Sequence, residues 1–268
     1  MAEEYLQEVE LPSKGRYYGD SVPDGVVAIE PLGTREDKLL ASAKEGNAVL
    51  DKIFDNCVTC PIPHVNLLVG DRLHLLIRLR SISYGSSYYF HYRCPSCRKT
   101  VEGHVNLDKL DIKEVSDDVD PGSDPSFEVT LPLKGDTVRI RLMTALDEDK
   151  IQQYIRRLKK TAPDMDPSSQ EYVYRLARRL TEINGEPAGI RQAIEYVESI
   201  KGKDSLEIQY AIEENEVGPV TEVEPTCSNC GYEAPPFPMP IAGEFFRPAR
   251  RRSRPGAHIK TAEAVDAT

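Results

Sequence analysis

The chain has 268 residues, 40% of them hydrophobic and 29% charged, with 44 acidic side chains against 34 basic ones and a formal net charge of −10. That length holds one large domain or two modest ones, and the apolar share is ordinary for a packed core. The acidic total argues against a general nucleic-acid coat, and no run of about eighteen apolar residues is present to span a bilayer.

The opening Met1-Ala2-Glu3-Glu4-Tyr5 is acidic and lacks the order of a signal peptide, so none is expected. Residues 1–33 read as an extended arm. Leu11 to Asp20 is punctuated by Gly and Pro, and Val26-Val27-Ala28-Ile29 offers a short strand. With so few core residues, the arm is expected to lie on this protein's own body or on a partner. Two short helices follow over about 34–58. Thr34 suits an N-cap with Asp37 three residues on, and Leu39, Leu40 and Ala43 form a stripe. Val49, Leu50, Ile53, Phe54 and Cys57 form the next one. Cys57 reads as a core residue of that stripe, while its Cys-x-x-Cys pairing with Cys60 leaves a metal or disulfide role open.

Val65 to Ile82 is the most apolar stretch. Asp71 is placed to cap a helix whose Leu73, Leu75, Leu76, Ile77 and Leu79 cover most of its circumference, as in a central helix. His74 reads there as a satisfied or edge histidine rather than a ligand. Tyr88 to Tyr92, then Val101, Val105 and Leu107, alternate at strand spacing and predict a hairpin with Cys94-Pro95-Ser96-Cys97 at its tip.

Cys227-Ser228-Asn229-Cys230 repeats that spacing far downstream. Two residues between cysteines let one tight turn present two sulfurs to one ion, and two such turns complete the four-sulfur tetrahedron of structural zinc. Cys94, Cys97, Cys227 and Cys230 are therefore the candidate ligands of a structural Zn²⁺. A closed shell leaves no place for water, so the metal would hold the fold and do no chemistry. Gly231 suits the positive φ that follows such a turn, and Arg98 stands at the matching place in the first. All six cysteines fall in Cys-x-x-Cys pairs, which fits metal in a reducing compartment better than a disulfide framework. Neither turn opens the helix of a βαβ unit, which argues against a redox pair.

Residues 108–125 carry seven acids with Pro121, Gly122 and Pro125 and read as a solvated loop whose spacing fits no calcium site. Phe127, Val129 and Leu131, then Val138, Ile140 and Leu142, predict a second hairpin around Lys134-Gly135-Asp136. Region 147–216 reads as four helices. The first starts near Asp147; the second opens on a Ser168-x-x-Glu171 capping box and runs through Ile183 to Asn184-Gly185. Ile190 to Val197 marks the third and Leu206 to Ile212 the fourth.

After Cys230 prolines alternate with Phe237, Met239 and Ile241, and Phe245-Phe246 precedes Arg247, Arg250, Arg251, Arg252 and Arg254. Residues 242–268 are expected to form a disordered tail whose phenylalanines are exposed for docking. The expected fold is α+β: the arm 1–33, a helical segment 34–83, zinc-ribbon-like β-hairpins over 84–146 and 217–241, and an inserted helical subdomain 147–216. No phosphate loop, dinucleotide fingerprint, His-Glu-x-x-His or nucleophile elbow occurs, and the five histidines are scattered, so no enzyme is expected.

Leu11-Pro12-Ser13-Lys14-Gly15, Tyr18-Gly19-Asp20 and Thr34-Arg35-Glu36-Asp37-Lys38-Leu39-Leu40 come first in an ordered set. Val69-Gly70-Asp71-Arg72-Leu73, Arg78-Leu79-Arg80, Ser83-Tyr84-Gly85 and Cys94-Pro95-Ser96-Cys97 follow. In that order, over most of residues 11–160, the chain resembles the T-even-type phage baseplate hub assembly proteins. The resemblance implies a non-enzymatic part in building the central hub of the tail baseplate, as an assembly chaperone or as a minor component that stays. It also implies other baseplate or hub proteins as partners, in the host cytoplasm during assembly or in the virion's tail baseplate. The alternative class is a zinc-ribbon nucleic-acid binder using the arginine tail, whose affinity would fall steeply with salt. Nucleic acid is not the expected partner.

Overall fold

A computed structural model describes residues 5–42, 47–162, 164–241 and 245–246 of the chain. The arm lies on the protein's own body. Gln7–Glu10 (β1) pairs antiparallel with Val26–Ile29 (β2), and Val9, Leu11, Val22, Val27 and Ile29 enter the main core. Thr34–Ser42 (α1) and Asn47–Cys57 (α2) are the two expected helices, and Val58–Thr59 (β3) completes a sheet of order β1-β2-β3. The start of α1 differs in detail. Asp37 N–H bonds Gly33 O, and Gly33 N–H donates to Glu36 Oε2 at 3.0 Å, so Gly33 occupies the cap position and Glu36 reaches back to it.

Val69–Tyr84 (α3) is the central helix, burying Leu75, Leu76, Ile77 and Leu79 beside the charged Asp71, Arg72 and Arg80. Asp71 does not cap it. The carboxylate is fully buried and accepts Ser13 N–H at 2.9 Å and Tyr18 O–H at 2.5 Å, while Leu68 N–H donates to the Tyr18 oxygen at 2.9 Å. Asp71 thus fastens the N-terminal arm to the helix. Burial pushes its pKa up despite those bonds. His74 is half-buried with Nδ1 unpartnered; desolvation, then Arg78, push it down to about 4, so it is neutral at pH 7.

Ser87–Arg93 (β4) and Thr100–Asn106 (β5) form the expected hairpin, in register Ser87↔Asn106 to Arg93↔Thr100. Its inner face carries Tyr88, Phe90 and Val101. A ring cannot share space with a side chain opposite it: a Cβ on Gly103 would lie 2.5 Å from the Phe90 ring. Ile112–Lys113 (β6) follows in the acidic loop. Ser126–Thr130 (β7) and Thr137–Arg141 (β8) are the second hairpin.

Ala145–Thr161 (α4) opens on a true capping box between Thr144 and Asp147. Pro167–Arg179 (α5) is capped two residues before the expected Ser168: Asp166 accepts Ser168 and Ser169 N–H, and Pro167 follows it in the first turn. Its end also differs. Leu180–Ile183 (β9) leaves the helix and pairs with β8, and Glu186–Pro187 (β10) pairs with β9 across Asn184-Gly185, giving a sheet of order β10-β9-β8-β7. Ile190–Ser199 (α6) and Gly202–Asn215 (α7) are the third and fourth expected helices; they pack on this sheet, forming a second core of Val138, Ile140, Leu176, Ala193, Val197 and Ile208.

The chain returns to α3 through Gly218–Pro219 (β11), which pairs with β6. A Cβ on Gly70 would sit 1.7 Å from Val217 O, so only glycine permits this crossing. Glu222–Val223 (β12) and Phe237–Pro238 (β13) pair on either side of the second cysteine turn. Phe245 and Phe246 are 0% and 2% exposed within the main core, which overturns the expectation of exposed docking phenylalanines. The arginines of the tail lie outside the described residues. Among the described residues no helix is long and apolar enough to cross a membrane.

Candidate metal centre

The two Cys-x-x-Cys turns, 130 positions apart, meet as near copies of one another. In the first, Arg98 N–H bonds Cys94 O at 2.9 Å and Cys94 N–H bonds Lys99 O at 3.0 Å. In the second, Gly231 N–H bonds Cys227 O at 2.9 Å and Cys227 N–H bonds Tyr232 O at 2.8 Å. The residues flanking each loop pair alike, Arg93↔Thr100 and Thr226↔Glu233. Both loops also need one residue at positive φ: Gly231 takes +70°, and Arg98 takes +60° despite its side chain. The arginine that breaks the sequence pattern therefore does not break the geometry.

This matching brings the four sulfurs together. Cys94 Sγ lies 3.8 Å from Cys230 Sγ, Cys97 Sγ lies 3.8 Å from Cys227 Sγ, and all four atoms fall within 4.8 Å of one another. Such separations exclude disulfides, whose S–S bond is about 2 Å. A tetrahedron of sulfurs around zinc, with bonds of about 2.3 Å, has edges of about 3.8 Å. The donor set fits that ion in number and element, and two of its sulfur separations match that edge.

Backbone amides are aimed at the sulfurs as thiolates require. Lys99 N–H bonds Cys97 and brings its thiol down to about 6, with further help from the other sulfurs. Burial opposes ionisation of Cys227, yet Asn229 and Cys230 N–H hold it below the usual thiol value. Tyr232 N–H does the same service for Cys230, but lost solvation and the three neighbouring sulfurs push that thiol up to about 11. Four like charges repel at this spacing, and a cation among them would offset that repulsion. Across the two turns Lys99 Nζ donates to Asn229 Oδ1 at 2.9 Å, and Tyr92 O–H donates to Pro225 O at 3.4 Å. Sequence reading placed the four cysteines and missed this lysine–asparagine bridge, which no spacing rule signals.

Cys57 and Cys60 stand apart as free thiols. Cys57 is 3% exposed in the main core, where burial first and then Glu36 and Glu30 push its thiol up to about 12. Among the described residues, the four cysteines of the paired turns are the one group of three or more side chains close enough to share an ion.

Fold and site define an α+β protein of small antiparallel sheets, in which two distant chain segments bring four cysteine sulfurs within reach of one ion. A family model described as T4 bacteriophage base plate protein matches residues 6–247, and the chain belongs to that family. Its class is thus a structural part of a phage tail, where its neighbours are other phage proteins. No curated protein and no solved structure matches the chain.

Proposed function

We propose that Cys94, Cys97, Cys227 and Cys230 hold one structural Zn²⁺, and that the protein serves assembly of the baseplate hub without catalysing a reaction. The supporting observation is the pair of matching loops that brings four sulfurs within 4.8 Å of one another, two pairs of them at 3.8 Å. Cys94 and Cys97 come from the main body, and Cys227 and Cys230 from the chain returning out of the helical segment. A bound ion therefore ties the two ends of residues 98–226 together. Four sulfurs saturate zinc, leaving no open position for a water or substrate, which supports a fastening role. Hub assembly, as chaperone or retained component, rests on the ordered motifs from Leu11 to Cys97 together with membership of the baseplate family.

Metal analysis of protein purified without added metal tests the first half: one zinc per chain supports it, and a metal-free, fully folded protein rejects it. Co-purification with individually tagged hub proteins tests the second. A partner found in infected cells but missing from purified virions marks a chaperone, and one found in both marks a component. No association with any hub protein rejects the reading.

A further inference from the structure

The arm that the main body absorbs still presents one unused edge. β1 is the outer strand of its sheet, paired on one side only. The phase of that pairing is set by Leu11 N–H, which donates to Gly25 O at 2.7 Å. Hydrogen-bonded positions alternate in an antiparallel pair, so Val9 and Gln7 also face β2. Glu8 and Glu10 turn their backbone N–H and C=O outward, and among the described residues no backbone or side-chain hydrogen bond meets them there.

Beside this edge lies a cavity of about 260 Å³, with Glu8 and Glu10 on one wall and Ile77, Leu107, Leu110 and Ile112 among the others. Arg78, the cation at its rim, is already paired with Asp108 at 2.9 Å. The strand is flanked by exposed apolar residues, Tyr5 and Leu6 before it and Val26 across from its end. Edges of this kind are usually blunted by proline, lysine or a bulge. Here only two glutamates guard it.

We propose that the β1 edge receives an extended segment of another protein, added as a fourth strand, with basic residues at alternate positions around one apolar residue. The chemistry follows from the register. Residues opposite Glu8 and Glu10 share their solvent-facing side and meet two carboxylates. The residue opposite Val9 points to the other side, towards Ile77 and Leu107. Main-chain bonds supply the attraction and alternate side chains the selection, as in other strand additions. A second copy of this chain is the wrong occupant, because antiparallel self-pairing about Val9 sets Glu8 against Glu10 twice over. The proposal goes beyond the hub reading and does not depend on the metal.

Fluorescence anisotropy with an acetylated, labelled peptide Ser-Lys-Val-Lys-Ile-Ser tests it on the full-length protein. The expected result is saturable binding that weakens with salt and falls about tenfold or more for Glu8→Lys/Glu10→Lys, whose exposed sites leave the circular dichroism unchanged. Binding should also be lost when the amides of the peptide's two lysines, which face β1, are N-methylated, and with Glu8→Pro, which removes one outward N–H while sparing the bonds to β2. No binding by the parent peptide overturns the proposal. Equal binding by the N-methylated peptide or by the charge-reversed protein does so too, as does a dimer in sedimentation that the reversal abolishes.

Discussion

Arg80 and Phe245, 165 positions apart, meet inside the main core: the guanidinium Nε donates to the Phe245 carbonyl at 2.5 Å. The same guanidinium serves Gly85 O at 2.5 Å and Ser87 O at 3.4 Å, and it lies 5.9 Å from the centre of the Phe245 ring. A 1% exposed arginine thus gathers three carbonyls and holds the C-terminal phenylalanine pair under the turn between α3 and β4. Phe245→Ala is expected to cost about 3–5 kcal/mol in urea unfolding. Deleting residues 242–268 should lower the midpoint at least as far and create binding of a hydrophobic dye, which an exposed tail would not.

Removing the proposed Zn²⁺ should expose thiols selectively. With chelator present, the four cysteines of the paired turns are expected to react with a thiol reagent, and Cys57 to stay slow behind its burial and raised thiol pKa. Cys97→Ser should release the metal and increase amide exchange in 87–106 and 222–238. The core of Val138, Ile140 and Ile208 does not include the cluster, so much of the helical signal should persist. Structural zinc stabilises small domains by roughly 10 kcal/mol, and a body with two cores of its own is expected to show a local rather than a global loss.

The two loops differ in how easily they take their shared conformation. Arg98→Gly, which relieves a side chain at φ +60°, is expected to stabilise the protein by about 1 kcal/mol. Gly231→Ala, at φ +70°, should cost about 1–2 kcal/mol. Thermal unfolding of the metal-loaded protein measures both, and equal effects of the same sign would contradict the matching of the loops.

Asp147 is 2% exposed and sits between Arg141, at 2.6 and 2.7 Å, and Arg178. Burial alone would raise its pKa, but the two guanidiniums and the Thr144 N–H hold it well below the carboxylate range. A group depressed in this way stabilises the fold above its unfolded pKa of about 4 and loses that contribution as pH falls further. Asp147→Asn is expected to cost about 3 kcal/mol at pH 7, from two half-buried guanidiniums left unpaired. The gap between wild type and variant should narrow steadily below about pH 4.

Gly70→Ala should be among the most harmful small substitutions. Its Cβ would enter the space of the Val217 carbonyl, and backbone on both sides must shift to admit it. A loss of about 2 kcal/mol or more is expected in urea unfolding.

Much of this was legible in the chain. Tyr88, Phe90 and Val101 alternate as a one-sided hairpin must, and the cysteine spacings announced the cluster. The elements that escaped share a cause: partners supplied from afar. Leu176, Leu180 and Ile183 suit a helical stripe, but pairing with β8 draws Leu180–Ile183 into a strand. β1 carries one buried residue, Val9, and depends on β2 for its definition. Asp71 looked like a local cap because the backbone that binds it belongs to Ser13, 58 positions upstream. Phe245 and Phe246 looked exposed because their neighbours in sequence are polar, whereas their neighbours in space are Arg80 and Tyr88.

The order in which the ribosome delivers the ligands has its own consequence. Cys94 and Cys97 emerge early and must wait for the whole stretch carrying α4–α7 before Cys227 and Cys230 can join them. A polypeptide cut short anywhere before residue 230 can never close the cluster, however well its earlier parts fold. Any fragment that ends before Cys227 therefore has only Cys94 and Cys97 to offer, half of the four-sulfur set.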